Sequence, residues 1–370
     1  MRDPSDIPNP KSKIRVLLVD DSPLVLNFLQ RLLSRSPEIQ VVGTAANGKD
    51  GLHMVLTLNP DVVCTDLHMP VMNGLEFTRA VMSTCPCPIL VVSVSVEPGS
   101  ANIFQLLEAG AVDVFPKPRS IFDTDFDAVA NGLASKIRIL AGVRVFRRRN
   151  IAYVVAISKP AEVSTPQFQP KMLVIGGSTG GPQALREILP QLPATFRLPL
   201  VCIQHIGSNF LSEMVTWLAE VSMMPVRKAI HGEFPQPGVI YFAPENAHLE
   251  FDNGGHFALS LATPVDGHRP SITVTMRSAA HFFGTGAVGV LLSGMGRDGA
   301  DGMASIAAAG GTTIVQDEAS SVVYGMPKEA VALGAAKHIL PLGEIAPAIV
   351  ALANSQSIDV NNYISKRFIT

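Results

Sequence analysis

The sequence predicts an α/β protein made of two doubly wound parallel sheets. Three observations carry that expectation. Short apolar runs alternate with helical patterns over residues 13–138, the alternation stops over 139–168, and it resumes over 169–355. Such alternation buries parallel strands beneath helices on both faces. A chain of 370 residues, 47% of them hydrophobic, has enough apolar material for two cores.

In the first half, residues 14–19 read as a buried strand and 24–33 as an amphipathic helix. Strand-like runs follow at 41–45, 62–65, 89–92 and 111–115, with a helix over 51–58. Residues 139–168 form a linker, with the basic cluster Arg147-Arg148-Arg149 read as a solvated face and a Pro-, Ser- and Gln-rich stretch after it. In the second half, strands are expected at 172–175, 200–203 and 287–292, with a helix starting at Pro182. Residues 239–243 and 256–262 read as an antiparallel excursion, and 356–370 as a polar tail.

Composition excludes several function classes. A net charge of −2 gives no basic field for nucleic acid, and the second half shows no basic recognition helix. The first 13 residues are polar and proline-bearing, unlike a signal peptide, and no apolar run approaches the roughly 18 residues of a membrane span. Cys64 and Cys202 lie in strand-like runs, and Cys85 and Cys87 flank Pro86 without zinc-pair spacing. A reduced, cytoplasmic, monomeric protein is expected.

Polar groups converge at the strand ends of the first half. Asp20 and Asp21 follow the first strand, Asp66 the third, Ser93 the fourth and Lys117 the fifth. Ligands of doubly wound sheets bind at these carboxyl ends. Three carboxylates there call for a cation, and a hard ion such as Mg²⁺ fits. A carboxylate beside Mg²⁺ can attack a phosphoryl group, with Lys117 and Ser93 stabilising its oxygens. Asp20-Asp21-Ser22-Pro23 also has the form of a helix cap, which leaves Asp66, Ser93 and Lys117 unexplained.

Val19-Asp20-Asp21-Ser22, Asp66-Leu67-His68-Met69-Pro70-Val71-Met72-Asn73-Gly74, Gly110-Ala111-Val112-Asp113 and Lys117-Pro118 resemble a response-regulator receiver domain of flavodoxin-like fold. The resemblance implies phosphorylation of Asp66 by a histidine kinase. It implies Mg²⁺ held by Asp21, Asp66 and the backbone carbonyl of His68, with Asp20 acting through water. Asn73 stands where an Asp is common, and Val114 where an aromatic residue is common.

The second half carries Gly176-Gly177-Ser178-Thr179-Gly180-Gly181 between an apolar run and a helix start. The stretch fits G-x-S-x-G, the sharp turn that exposes nucleophilic serines. Taken alone it also fits an anion site at a helix N-terminus or a bare tight turn. A dinucleotide site would need an acidic residue at the next strand end, where the chain has Gln204-His205, and no Lys-Ser or Lys-Thr phosphate loop is present. A nucleophilic serine needs a base and a residue to orient it. His205 and Asp298 also follow apolar strands, so three strand ends can bring Ser178, His205 and Asp298 together.

Residues 169–355 resemble the catalytic domain of chemotaxis-type protein-glutamate methylesterases, a Rossmann-like domain. Further landmarks are His268-Arg269-Pro270-Ser271, Gly294-Met295-Gly296-Arg297-Asp298-Gly299 and Gln316-Asp317-Glu318. The resemblance implies a Ser178, His205, Asp298 triad with backbone amides near Thr179 and Met295 as oxyanion donors and no cofactor in the esterase site. It implies methylated chemoreceptors as substrate, glutamine deamidation by the same route, and release of a covering receiver on phosphorylation.

Overall fold

The computed structural model describes residues 13–93, 103–117, 126–143, 145, 170–207 and 210–354. These fall into two compact units, one drawn from residues 1–149 and one from 150–370. Nearly all of the expected linker, the Arg147-Arg148-Arg149 cluster, Pro118 and the expected 356–370 tail lie outside the described residues. No helix among the described residues is long and apolar enough to cross a membrane.

The first unit runs β1 (Ile14–Val19), α1 (Pro23–Leu33), β2 (Ile39–Ala45), α2 (Gly48–Leu58), β3 (Val62–Thr65), α3 (Gly74–Thr84), β4 (Ile89–Ser93), α4 (Phe104–Ala109), β5 (Asp113–Pro116) and α5 (Phe126–Ala141). The strands form one parallel sheet in the order β2-β1-β3-β4-β5. Val16, Leu17 and Leu18 of β1 and Val62 and Val63 of β3 have no solvent exposure, as expected for strands covered on both faces. The helices start where the sequence supplies caps. Ser22 Oγ accepts from the Val25 amide with Pro23 in the first turn, and Asn47 accepts from Asp50. Asn73 and Glu76 form a reciprocal capping box at α3. Asn caps as well as Asp does, so the local fold tolerates Asn73. Strand order reverses between β1 and β3, and the strand ends there carry Asp20 and Asp66.

The second unit runs β6 (Met172–Gly177), α6 (Gly181–Ile188), β7 (Leu200–Gln204), α7 (Leu211–Ala219), β8 (Val226–Lys228), β9 (Ile240–Phe242), β10 (His248–Phe251), β11 (Phe257–Ser260), α8 (Ile272–Phe283), β12 (Ala287–Leu291), α9 (Ala300–Ala308), β13 (Thr312–Gln316), α10 (Met326–Ala332), β14 (His338–Leu340) and α11 (Leu342–Asn354). Seven of these strands form a parallel sheet in the order β14-β13-β12-β6-β7-β9-β8. Its order reverses at β6 and β12, so the loops after those strands flank the crevice of a doubly wound fold.

One expectation is corrected here. Residues 239–243 are not part of an antiparallel excursion: β9 pairs parallel with both β7 and β8 inside the main sheet. Helix α7 returns the chain between β7 and β8, and residues 229–239 return it between β8 and β9, so all three strands run the same way. The antiparallel element is the hairpin β10–β11, whose second strand falls within the expected 256–262.

Candidate active site

The turn after β6 is built by close approaches. A Cβ on Gly176 would lie 2.4 Å from Ile272 Cγ2, and one on Gly181 2.1 Å from Gln204 Oε1. Gly180 adopts φ +82°, the left-handed region that glycine enters freely. The sharp turn places Ser178, 9% exposed, at the end of the strand and three residues before α6. Its amide donates to Ser293 O at 3.0 Å. A Cβ on Gly294 would lie 2.7 Å from Ser178 Cβ, so the loop after β12 lies against the serine.

Register brings the next group alongside. Gly177 pairs with Gln204 across β6 and β7, and the His205 amide donates to Gly177 O at 3.0 Å. His205 Nε2 lies 2.9 Å from Asp298 Oδ2. His205 Nδ1 is buried without a hydrogen-bond partner. The His205 ring stacks on His268, with centroids 3.7 Å apart and planes within 8°.

Asp298 is 1% exposed and heavily satisfied. It accepts from Ser271 Oγ at 2.7 Å, the Ile272 amide at 2.8 Å, the Thr273 amide at 2.9 Å and the Gly299 amide at 3.0 Å. The first three donors are the cap and first turn of α8, where orphan amides and the helix dipole favour an anion. Burial alone would push this carboxyl up. The His205 imidazole and the Thr273 and Ser271 donors outweigh it and hold the carboxyl below the usual Asp range.

The backbone around the serine is equally fixed. Ser178 O accepts from the Gly181 amide and from Gln204 Nε2, each at 2.8 Å. A trans peptide is planar, so pinning that carbonyl aims the Thr179 N–H the opposite way. Gly294 O accepts from the amides of Gly325 and Met326, which orients the Met295 N–H by the same rule. The Met295 side chain itself is half exposed. Thr179 is buried, and its carbonyl accepts from Ser293 Oγ at 2.7 Å.

Four supporting residues, Gln204, His268, Ser271 and Ser293, had no role assigned to them from the sequence. Only Ser271 carried a local signal, as a cap residue before a helical run. Of the other histidines, His248 is structural: Nδ1 accepts from the Ser271 amide and Nε2 meets Thr263 O at 3.1 Å.

The first unit brings its predicted groups together as well. Lys117 Nζ lies 2.6 Å from Asp20 Oδ2 and 2.8 Å from Asp66 Oδ2. Asp20 and Asp66 are buried, and Asp21 is exposed. Carboxylate oxygens of Asp20, Asp21 and Asp66 lie within 4.8 Å of one another. Burial raises the Asp20 carboxyl, and Lys117 only partly offsets it. Ser93 is buried at the end of β4, and the Lys117 amide donates to its carbonyl at 2.9 Å. A Cβ on Gly74 would lie 2.1 Å from Asp66 O, so this loop closes over the aspartate only with glycine there. The side chain of His68 is exposed. An all-oxygen, multiply anionic donor set suits a hard divalent ion such as Mg²⁺.

Fold and sites together define a two-unit α/β protein. One sheet carries a lysine-bridged acidic pocket, and the other a serine elbow beside a histidine–aspartate pair. A family model described as "CheB methylesterase" matches residues 173–349, and one described as "Response regulator receiver domain" matches residues 16–123. A protein-glutamate methylesterase/protein-glutamine glutaminase of Nitrosospira multiformis is 39% identical over 92% of this chain and 97% of its own length. One from Methanospirillum hungatei is 40% identical over 93% of this chain and 100% of its own. The crystal structure of the Thermotoga maritima CheB methylesterase catalytic domain aligns at 36% identity and TM-score 0.48, covering 50% of this chain and 99% of that one. The chain belongs to the protein-glutamate methylesterase/protein-glutamine glutaminase family.

Proposed function

We propose that the protein is a phosphorylation-activated hydrolase. It demethylates glutamate methyl esters and deamidates glutamines on chemoreceptors, as a cytoplasmic monomer, without a cofactor in the esterase site. Residues 13–138 act as the receiver, 139–168 as the linker, 169–355 as the catalytic domain and 356–370 as a tail. The observation that carries the reading is the His205–Asp298 contact of 2.9 Å beside the Ser178 elbow.

In this reading His205 Nδ1 takes the Ser178 proton as Oγ attacks the side-chain carbonyl carbon. The Thr179 and Met295 amides, held by their fixed peptide planes, donate to the oxyanion. Collapse expels methanol, or ammonia from glutamine, which takes its proton from the imidazolium. Water then attacks the acyl-serine with His205 again as base, freeing glutamate and Ser178. The Asp298 carboxylate stabilises the imidazolium and sets its tautomer.

On the receiver, Asp66 accepts a phosphoryl group from a histidine kinase, and Lys117 and Ser93 contact the transferred oxygens. Asp21, Asp66 and the His68 carbonyl would hold Mg²⁺, with Asp20 through water; when bound, the ion neutralises charge at the phosphoryl oxygens. The unphosphorylated receiver holds activity down, and phosphorylation shifts that equilibrium.

The test is methanol release from methylated receptor membranes with acetyl phosphate and Mg²⁺. The reading predicts a rise for the wild type and none for Asp66→Asn, which also takes up no label from the phosphodonor. Equal activation of Asp66→Asn would reject Asp66 as the acceptor.

A further inference from the structure

We propose that His268 is a positioning residue whose ring fixes the plane of His205. This rests on the reading of His205 as the base. The contact at Nε2 does not hold that plane by itself. The second torsion of a histidine joins an sp³ to an sp² carbon and has broad minima. Nε2 lies near the axis of that rotation, on the far side of the ring from Cβ. Turning the ring therefore moves Nε2 little, and the 2.9 Å contact to Asp298 restrains it weakly. Nδ1 swings through a wide arc, and it has no hydrogen bond to stop it. A parallel ring at 3.7 Å does stop it, because tilting His205 drives its edge into the face of His268.

His268 is itself held rigidly. The Val265 amide donates to His268 O at 3.1 Å, and the His268 amide to Val265 O at 2.9 Å. Between them Asp266 and Gly267 have φ +50° and +79°, the two left-handed residues of a tight two-residue hairpin turn. Arg269 Nη1 ties the segment back by donating to Leu261 O at 3.0 Å and Ala262 O at 3.2 Å. Two residues further on, Ser271 begins the run of donors that binds Asp298. Residues 265–273 thus clamp both the face of the imidazole and the carboxylate at its edge. A triad aligned this way depends on one short segment lying far from Ser178 in sequence.

The test compares full-length His268→Ala, His268→Leu and His268→Phe with the wild type and Ser178→Ala. Steady-state methanol release gives kcat and KM. Labelling by a fluorophosphonate reports activation of the serine without the receptor. Phe keeps a flat ring, and Leu fills the volume without one. Thermal unfolding identifies variants that keep the wild-type midpoint, and the Phe–Leu comparison stands even where Ala does not fold.

The expected result is a loss in kcat of about 10- to 100-fold for Ala and Leu, with KM within about twofold and labelling slowed in parallel. His268→Phe should recover to within about threefold of the wild type. Folded Ala and Leu variants as fast as the wild type would overturn the proposal. So would a folded Phe variant as slow as Leu, since a flat ring would then not be what matters. Ser178→Ala separates the two levels. If it is inert while every His268 variant is fully active, the positioning role fails and the hydrolase reading stands. If it is as active as the wild type, the hydrolase reading fails first.

Discussion

Gln204 Nε2 donates to the carbonyl of Ser178 at 2.8 Å and to that of His205 at 3.1 Å. One buried amide thus holds the backbone of Ser178 and of His205, on neighbouring strands. The Ser178 carbonyl is the other end of the peptide whose N–H belongs to Thr179, so Gln204 aims the amide proposed as an oxyanion donor without touching it.

Gln204→Leu should therefore lower kcat more than it raises KM. An oxyanion donor is worth roughly 10²- to 10³-fold in kcat, and a donor left in place but poorly aimed should lose part of that. Steady-state kinetics on methylated receptor provide the measurement. An unchanged kcat would show that the Gly181 amide alone fixes the turn.

Asp298→Asn should cost about 10⁴-fold in kcat, the loss seen when the orienting carboxylate of a serine triad becomes an amide. It should also change acid stability. The folded carboxyl sits below its usual range, so the unfolded chain takes up the proton first as pH falls. The stabilisation is complete above the ordinary Asp value of about 3.9 and is lost as pH drops below it. The stability gap between wild type and Asp298→Asn, read by denaturant titration, should narrow as pH falls below about 4. A gap that stays constant with pH would mean the carboxylate charge is not stabilised by its donors.

Asp20 has the opposite sign. Burial raises its folded carboxyl, so ionising it costs stability as pH rises above the ordinary Asp range. Asp20→Asn keeps an acceptor for the Ser22 amide, which now donates to Asp20 Oδ1 at 3.0 Å. Without divalent ions at neutral pH, the variant's receiver should unfold at a higher temperature than the wild type's. Added Mg²⁺ should stabilise the variant less. Calorimetry that finds the variant less stable without Mg²⁺ would show that the Lys117–Asp20 pair outweighs the burial cost.

Much of this was legible in the sequence because the chemistry sits where strands end. Asp20, Asp66, Ser93, Lys117, Ser178 and His205 each follow an apolar run closely, and parallel topology gathers such ends at one edge. The direction of Ile240–Phe242 was not legible, because a three-residue apolar strand carries no mark of its neighbours' orientation. The supports of Asp298 were hidden for a different reason. Ser271, Ile272 and Thr273 lie 25 to 27 residues before it and meet it only through tertiary packing. His268 likewise belongs to a tight hairpin turn whose place over His205 no local pattern announces.

The most direct test of the central claim is methanol release from methylated receptor by the phosphorylated wild type and by Ser178→Ala. The account predicts steady release by the wild type. For Ser178→Ala it predicts a rate lower by about 10⁶-fold, the scale on which a serine triad fails without its nucleophile, and so no detectable release, with an unchanged unfolding midpoint. Release by folded Ser178→Ala at a rate near the wild type would contradict it.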